Sequence, residues 1–202
     1  QNSYSLKNKV GIVFQDPDMQ LFSASVMEEV SFGPLNLGLP HQEVKARVNQ
    51  AMENTAITHL QDKPTHLLSY GQKKRVAIAA ILAMEPEIII FDEPTAGLDP
   101  KHAQKIMDFL QQLSQSGLTI IISTHNVNLA YSWAEYIYIL DQGAIAKGGS
   151  PEQVFQDEDL LQQVDLTIPW VREVYQKLKE EKILEDDFIP TSKEELFNLI
   201  SN

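Results

Sequence analysis

Three short, mainly apolar runs mark the chain, and segments with helical spacing separate them. The runs are VGIVF at 10–14, IIIF at 88–91 and LTIIIS at 118–123. Because they lack polar alternation, they are typical of strands covered on both faces in a parallel sheet. Apolar residues recur at helical spacing in 42–57, in 69–84 and between Pro100 and Gly117. This order predicts an α/β fold with a largely parallel sheet and flanking helices.

A polar residue follows each run directly or within two positions. These residues are Gln15, Asp92, Glu93 and His125. Open α/β sheets place their ligands at the carboxyl ends of their strands, so these side chains predict a functional site. Pro94 and Gly97 disfavour a helix until after Asp99, which puts the two acids on a constrained loop.

The helix that begins near Ser69 has an unusual N-terminus. Ser69 is predicted to cap it, Gly71 permits close approach of the backbone, and a basic cluster spans Lys73 to Arg75. The positive end of the helix dipole lies there, so the arrangement suits an anion such as a phosphate. The alternative is an ordinary capped helix with a basic first turn. The helix body, VAIAAILAM, is apolar nearly all round and is predicted to be buried.

The segment between Asp18 and Pro34 mixes exposed-looking apolar side chains with two glutamates. Its apolar members include Met19, Leu21, Phe22 and Met27. Two interpretations stay open, a small satellite core beneath a loop or a docking surface for another protein.

The rest of the chain predicts a short helix at 126–134, a hairpin of strands 136–140 and 144–147, and a helical tail. One tail helix begins near Pro169, and another follows a capping box of Ser192 and Glu195. The first tail helix places three apolar residues on one face, Val171, Val174 and Leu178. These helices either pack on the main domain or associate with a second copy.

Charge and composition narrow the classes of function. The net charge is −12, which argues against general nucleic-acid binding. Residues 151–202 carry 13 acidic and 5 basic side chains, so the composition shift predicts a domain boundary at 150/151. The absence of cysteine excludes disulfides and thiolate metal sites. No apolar run is long enough to span a bilayer, so a cytoplasmic protein whose membrane role goes through a partner is expected.

Four features in this order resemble the nucleotide-binding subunit of an ATP-binding cassette (ABC) transporter. They are the strand-end Gln15, the helix opening LSYGQKKR, the stretch IIIFDEPTAGLDP and the strand-end His125. The resemblance covers Lys9 to about Phe155 and is closest to energy-coupling-factor ATPases of the cobalt and nickel importer type. Its finer support is the stretch FQDPDMQLFSASVMEEVSFGPLNLGL and Tyr70, which replaces the usual first glycine of LSGGQ.

The resemblance implies a RecA-like ABC ATPase core in residues 1–150 that is incomplete at its N-terminus. It also implies a helical signature subdomain at about 18–85. Residues 151–202 would then form a small, acidic, helical C-terminal extension.

The resemblance also assigns roles to the strand-end residues, with ATP and Mg²⁺ as substrate and cofactor. Asp92 would hold Mg²⁺ through water, and Glu93 would polarise the attacking water. Gln15 would lie near the metal and the water while sensing the membrane partner. His125 would contact the γ-phosphate.

Other roles in the family operate between two subunits. The signature residues would bind the nucleotide held by the opposing subunit, and they are Ser69, Tyr70, Gly71 and Gln72. Asp99 matches the loop that crosses between subunits. The implied partners are a second copy or a paralogous ATPase, and transmembrane subunits that contact the region from Gln15 to Phe32.

One motif of the family is missing from this sequence. There is no G-x-x-x-x-G-K-[ST] and no Gly-Lys pair among the nine glycines, so the phosphate-cradling P-loop is absent. The family carries that loop, and an aromatic residue that stacks on adenine, before the position of Gln15. The sequence is therefore expected to be the C-terminal part of an ATPase subunit and to be nearly inactive alone.

The leading hypothesis is the ATPase subunit of a cobalt or nickel importer at the cytoplasmic face of the membrane. A first alternative is a cassette ATPase of chromosome maintenance or translation. The short separation of Gln15 from Ser69 leaves no room for the coiled coil of chromosome-type members. A second alternative is a non-catalytic interaction fragment of the transporter subunit.

Overall fold

The computed structural model describes residues 9–184 and 188–201. It divides into two compact units, residues 1–123 (the first unit) and residues 124–202 (the second unit). Each unit has a hydrophobic core of its own. The domain boundary inferred from charge at 150/151 stays a prediction.

The first unit is built on a parallel sheet. Its strands are β1 (Val10–Val13), β2 (Ile88–Asp92) and β3 (Thr119–Ser123), in the order β1-β2-β3. Both strand pairs are parallel, with Val13 opposite Phe91 and Phe91 opposite Ile122. All three strands lie where the apolar runs predicted them, and the α/β class is confirmed.

The helices of the first unit also follow the predicted segments. They are α1 (Val26–Asn36), α2 (His41–Asn54), α3 (Tyr70–Leu82) and α4 (Pro100–Gln115), with single 3-10 turns at Pro17–Met19, Thr58–Leu60 and Thr65–Leu67. Ser69 caps α3 and forms a capping box with Gln72, as the sequence predicted. Asp99 caps α4, which ends before Gly117 in the left-handed region (φ 96°).

The core of this unit joins α1, α2 and α3. Its fully buried members include Val26, Val30, Met52, Ile57, Val76 and Ala79. Leu21 and Met27 pack against the same core, whereas Met19 and Phe22 are 79% and 65% exposed. The segment after Asp18 is therefore part satellite core and part exposed apolar surface.

The two faces of the sheet differ in burial. Val13, Ile89 and Phe91 are buried on one face, which α3 covers. On the other face Ile12 is 45% exposed and Ile121 is 48% exposed. The prediction that these strands are covered on both faces is therefore wrong for the described residues. An apolar run without polar alternation permits burial on both faces, but burial of the second face also requires another element to pack on it.

The second unit begins with α5 (Val127–Trp133) and the antiparallel hairpin β4 (Ile137–Asp141) and β5 (Ala144–Gly149). The tail helices follow as α6 (Pro151–Phe155), α7 (Glu158–Gln163), α8 (Trp170–Glu180) and α9 (Lys193–Ser201). Tyr131, Phe155 and Leu196 meet in one core, so the tail packs on the segment that precedes it. Self-association of the tail stays a prediction.

Predicted tail features are found in the second unit. The amide N–H of Glu195 donates to the Ser192 hydroxyl at 3.2 Å, which confirms the capping box. Val171 is buried and Leu178 packs against the core, but Val174 on the same helix is 38% exposed. The predicted apolar face of α8 is therefore only partly buried.

Packing of α3 on the sheet leaves no room at Gly11. A Cβ atom there would lie 2.2 Å from Cγ2 of Ile81, so Gly11→Ala is expected to destabilise the first unit by about 1 to 3 kcal/mol. Gly71→Ala is the control, because no heavy atom lies within 4 Å of its added Cβ. Hydrogen exchange of amides in β1 and α3 reports the opening free energy. Equal protection in both variants would contradict the packing described here.

Candidate functional site

The carboxyl edge of the sheet brings Asp92 and Ser123 together. The two residues are paired in register at the ends of β2 and β3. The Ser123 hydroxyl donates to Oδ1 of Asp92 at 2.5 Å, and the Asp92 side chain is otherwise exposed. A carboxylate held at the strand end, as the sequence predicted, is available to a ligand.

The loop at 93–99, here the strand-end loop, is irregular as predicted. Glu93 has a φ of 43°, which is uncommon for a residue other than glycine. Its N–H donates to the carbonyl of Ser123 at 3.0 Å, and its own carbonyl accepts from Ala96 N–H at 3.1 Å. These bonds hold the backbone of Glu93 in a conformation that costs about 1 kcal/mol or more.

Lys74 on α3 contacts the strand-end loop. The side chain is in the second turn of α3 and is 1% exposed. Its Nζ donates to the main-chain oxygen of Glu93 at 3.3 Å. Burial lowers the pKa of Lys74 to about 8, although Glu93, Asp16 and Asp92 act to raise that pKa. The ammonium is therefore a buried donor to the strand-end loop.

Tyr70 connects the first turn of α3 to two other segments. Its hydroxyl donates to the main-chain oxygen of Gln15 at 3.0 Å. A Cβ added at Gly97 would lie 3.4 Å from the Tyr70 ring, so ring and loop are in contact distance. The Lys74 Nζ lies 5.7 Å from the ring centroid. Burial, followed by the charges of Asp16 and Asp18, raises the pKa of the Tyr70 hydroxyl, so that group stays a donor.

The segment after Gln15 is fixed on α3 by polar contacts. Lys73 forms an ion pair with Asp18 at 2.5 Å. The Gln20 amide donates to the carbonyl of Ala77 at 3.2 Å and accepts from the N–H of Phe14 at 3.1 Å. The Gln15 side chain itself is exposed at the end of β1.

The residues at 69–72, here the signature turn, open α3. The Ser69 hydroxyl accepts from the N–H of Gln72 at 3.4 Å, and the Gln72 side chain accepts from the N–H of Ser69 at 3.0 Å. Ser69 is exposed, and the space above Gly71 is open. The turn therefore presents backbone to the surface without a covering side chain at Gly71.

The three basic residues that follow this turn have different partners. Lys73 pairs with Asp18, and Lys74 is buried under Glu93. Arg75 lines a cavity of about 300 Å³ together with residues that include Ile78, His102, Lys105 and Phe109. Lys74 lines the same cavity as Arg75, and Gly71 of the signature turn lies at its wall, so phosphate binding at this helix end stays a prediction.

Asp99 ends the strand-end loop. Its carboxylate accepts from the N–H groups of Lys101 and His102, both at 3.1 Å. The other carboxylate oxygen lies 2.6 Å from Nδ1 of His102, and this hydrogen bond lowers the pKa of Asp99. Both side chains are exposed. The sequence analysis identified Asp99 but not its hydrogen bond to His102.

His125 belongs to the second unit, where it is exposed next to Asn126, the N-cap of α5. Its predicted role stays a prediction.

The residues at the carboxyl edge fit a magnesium ion that keeps most of its water. In residues 9–184 and 188–201, no group of three or more His, Asp or Glu side chains forms a metal cage. The exposed Asp92 carboxylate could supply an oxygen ligand of the kind that Mg²⁺ uses when phosphates and water complete its shell, and the role of Gln15 stays a prediction. No helix in the same residues is long and apolar enough to cross a membrane.

The sequence failed to identify Lys74 and Tyr70 as linking residues. One signal was available, since a lysine precedes the run VAIAAILAM on a helix predicted to be buried nearly all round. A lysine in such a helix needs a buried partner.

Comparisons with known proteins agree with one another. A family model described as ABC transporter matches residues 1–96. Energy-coupling factor transporter ATP-binding protein EcfA3 of Clostridium perfringens is 47% identical over 176 residues, 87% of this chain and 62% of the relative. The corresponding EcfA of Methanocaldococcus jannaschii is 51% identical over 166 residues, 82% of this chain and 60% of the relative. The chain thus spans about 60% of the length of these relatives.

Two solved structures share the fold. One, described as cbiO1 from Clostridium perfringens, part of the ABC transporter complex cbiONQ, is 45% identical with a TM-score of 0.70 and covers 86% of this chain and 69% of that chain. Another, described as the dimeric post-hydrolysis state of the ATP-binding cassette MJ0796 bound to ADP and Pi, is 29% identical with a TM-score of 0.62. It covers 75% of this chain and 68% of that chain.

The buried Lys74 gives a prediction for stability against pH. Its pKa is lowered from 10.5 to about 8, so between these values the unfolded chain binds more protons than the folded chain. The free energy of unfolding therefore rises with pH in that window, by at most about 3 kcal/mol from this group. Lys74→Met is expected to remove this rise, measured by urea unfolding in EDTA between about pH 7 and about pH 10.

Lys63→Met is the control for that measurement and is expected to keep the pH dependence of the original chain. A rise that persists in Lys74→Met would show that the ammonium is solvated in the folded protein.

Proposed function

This chain belongs to the ABC transporter family of ATP-binding proteins, among the energy-coupling-factor members, and we propose that its protein hydrolyses ATP to drive import through a membrane complex. The observation that carries the proposal is the carboxyl edge of the sheet, where Asp92 ends β2 and Glu93 follows it, while the signature turn caps α3 in the same unit. That combination suits phosphoryl transfer, which depends on positioning and on charge stabilisation.

Asp92 and Gln15 are the residues that bind the magnesium ion in this proposal. Asp92 would hold Mg²⁺ through water, and the Ser123 hydroxyl sets the orientation of its carboxylate. The Gln15 amide lies at the end of β1 and adds an oxygen ligand of the kind Mg²⁺ prefers. Bound Mg²⁺ supplies neutralisation of the charge that develops on the phosphate oxygens.

Glu93 acts on the attacking water. Its carboxylate accepts a hydrogen bond from that water and orients it, which a residue on a fixed loop does better than one on a mobile loop. The backbone bonds to Ser123 and Ala96 keep the loop in place. His125 contacts the γ-phosphate, as the family resemblance implies.

The signature turn and Asp99 serve the opposing subunit of a dimer. Ser69, Tyr70, Gly71 and Gln72 lie at the N-terminus of a 13-residue helix, whose partial positive charge favours phosphate oxygens. Their partner is a second copy or a paralogous ATPase. The dimer described for the MJ0796 cassette supports this arrangement.

Membrane subunits dock on the surface between Gln15 and Phe32, here the docking surface. Met19 and Phe22 are its most exposed apolar residues. Phe22 packs edge-to-face on Phe32 with ring centroids 4.7 Å apart. The buried Glu29 accepts from the N–H groups of Phe22 and Ser23 at 3.0 and 2.7 Å, which fixes the loop. A fixed, exposed apolar surface suits a protein partner.

We further propose that the protein acts at the cytoplasmic face of the membrane as a peripheral subunit and that the cargo is a cobalt or nickel ion. The resemblance to importer ATPases of that type supports this cargo. The net charge of −12 makes a nucleic-acid partner unfavourable.

Replacement of Glu93 tests the catalytic proposal. In the full-length protein Glu93→Gln is expected to bind ATP nearly as well as the original and to lose about 100-fold or more in turnover, since the base is gone. Steady-state phosphate release and nucleotide binding measure the two effects. Glu53→Gln, an exposed glutamate on α2, is the control. Near-normal hydrolysis by Glu93→Gln would show that Glu93 is not the general base.

A charge on the docking surface tests the partner proposal. Phe22→Asp is expected to weaken association with the membrane subunits about 10-fold or more while ATP binding is unchanged, because a charge is buried at an apolar contact. Co-purification of the complex measures association. Ile145→Asp changes an equally exposed residue on the hairpin and serves as the control. Equal association of both variants would place the contact elsewhere.

A further inference from the structure

The first turns of α3 carry contacts that the family assignment does not explain. Ser69, Gly71 and Gln72 are accounted for by the signature turn. The side chain of Tyr70, whose backbone belongs to that turn, and the side chain of Lys74 contact other segments of their own chain. They lie four positions apart, so both are on one face of the helix.

On that face, each of the two side chains donates a hydrogen bond to the main-chain carbonyl of a candidate functional residue. Tyr70 donates to the carbonyl of Gln15 at 3.0 Å, and Lys74 donates to the carbonyl of Glu93 at 3.3 Å. The Lys74 Nζ also lies 5.7 Å from the Tyr70 ring centroid, within cation–π range. The two donors thus form one contiguous connection between Gln15, α3 and Glu93.

We propose that Tyr70 and Lys74 are positioning residues that fasten the Gln15 strand end and the Glu93 loop to the first turns of α3. The inference rests on the proposed function, because it concerns how Glu93 and Gln15 are held for hydrolysis. In the proposed dimer, the N-terminus of α3 serves the nucleotide of the opposing subunit. The same helix therefore holds the glutamate of one ATP site while it contributes the signature turn of the other.

The backbone of Glu93 shows why such a support matters. Its φ of 43° is a left-handed conformation that persists only when surrounding contacts hold it. Its carbonyl receives two donors, Ala96 N–H within the loop and Lys74 Nζ from outside it. Lys74 thus joins the Glu93 peptide to α3, next to the contact that the Tyr70 ring makes with Gly97. Its loss removes a donor that comes from outside the loop.

A simple counter-ion role does not account for Lys74. Its burial is nearly complete, and the carboxylates nearby do not offset the desolvation of the ammonium. A methionine of similar length would fill the same space without that cost. What the lysine adds over methionine is a donor directed at the Glu93 carbonyl.

The first measurement uses the loop itself and does not depend on ATP turnover. In the 202-residue chain, Lys74→Met and Tyr70→Phe are compared with Lys74→Arg, which restores a donor, and with Lys63→Met as the control. Hydrogen exchange of the Glu93 and Ala96 amides is expected to quicken about 10-fold in Lys74→Met, and Lys74→Arg is expected to restore part of the protection. In Tyr70→Phe, faster exchange is expected at the Gln15 strand end, because the variant loses the hydrogen bond to the Gln15 carbonyl. The phenyl ring of the variant still contacts the strand-end loop.

The second measurement is kinetic and uses the full-length protein. Lys74→Met is expected to lower kcat about 10- to 100-fold with KM for ATP changed by less than about 3-fold, because a displaced glutamate affects chemistry more than binding. Lys74→Arg recovers part of kcat, and Lys63→Met leaves kcat and KM unchanged.

The outcomes separate the inference from the proposed function. If the original full-length protein shows no ATP turnover, the proposed function fails, and the exchange data still decide whether Lys74 and Tyr70 hold these segments. If exchange of the strand-end loop is the same in Lys74→Met and Lys63→Met, the positioning role is wrong even when turnover is normal. A drop in kcat without faster exchange, or a rise in KM equal to the drop in kcat/KM, also overturns it.

Discussion

The first unit depends on the packing of one helix, α3, against the sheet and against α1 and α2 at the same time. Ile81 lies over Gly11 so closely that a side chain there has no room. Val76 and Ala79 are fully buried in the helical core. Because protein interiors are close-packed, α3 cannot shift without opening one of these contacts. Packing further along α3 therefore fixes the position of its N-terminus and of the signature turn.

Much of the first unit could be predicted from sequence because the relevant signals are local. The caps at Ser69 and Asp99 involve hydrogen bonds that span three residues, and the turn before α4 contains a proline and a glycine. The strand ends that carry Gln15 and Asp92 follow from apolar runs of four or five residues. In these places a short stretch of chain contains nearly all the groups that determine its structure.

Other features depend on tertiary neighbours and were not predictable. Ile12 and Ile121 are half exposed because their burial requires a second cover that the strand sequence does not encode. Lys73 and Lys74 are adjacent in sequence, but one reaches a surface aspartate and the other a buried carbonyl.

The strand-end loop combines two unfavourable features in contact with each other. Glu93 holds a left-handed backbone, which costs about 1 kcal/mol or more. Lys74 is a buried ammonium whose lowered pKa records that burial outweighs the attraction of nearby carboxylates. The hydrogen bond to the Glu93 carbonyl and the contact with the Tyr70 ring offset only part of the free energy that desolvation of the Lys74 ammonium costs. Both features meet at the Glu93 peptide, so the conformation of this loop depends on contacts from α3 and β3 and not on the loop sequence alone.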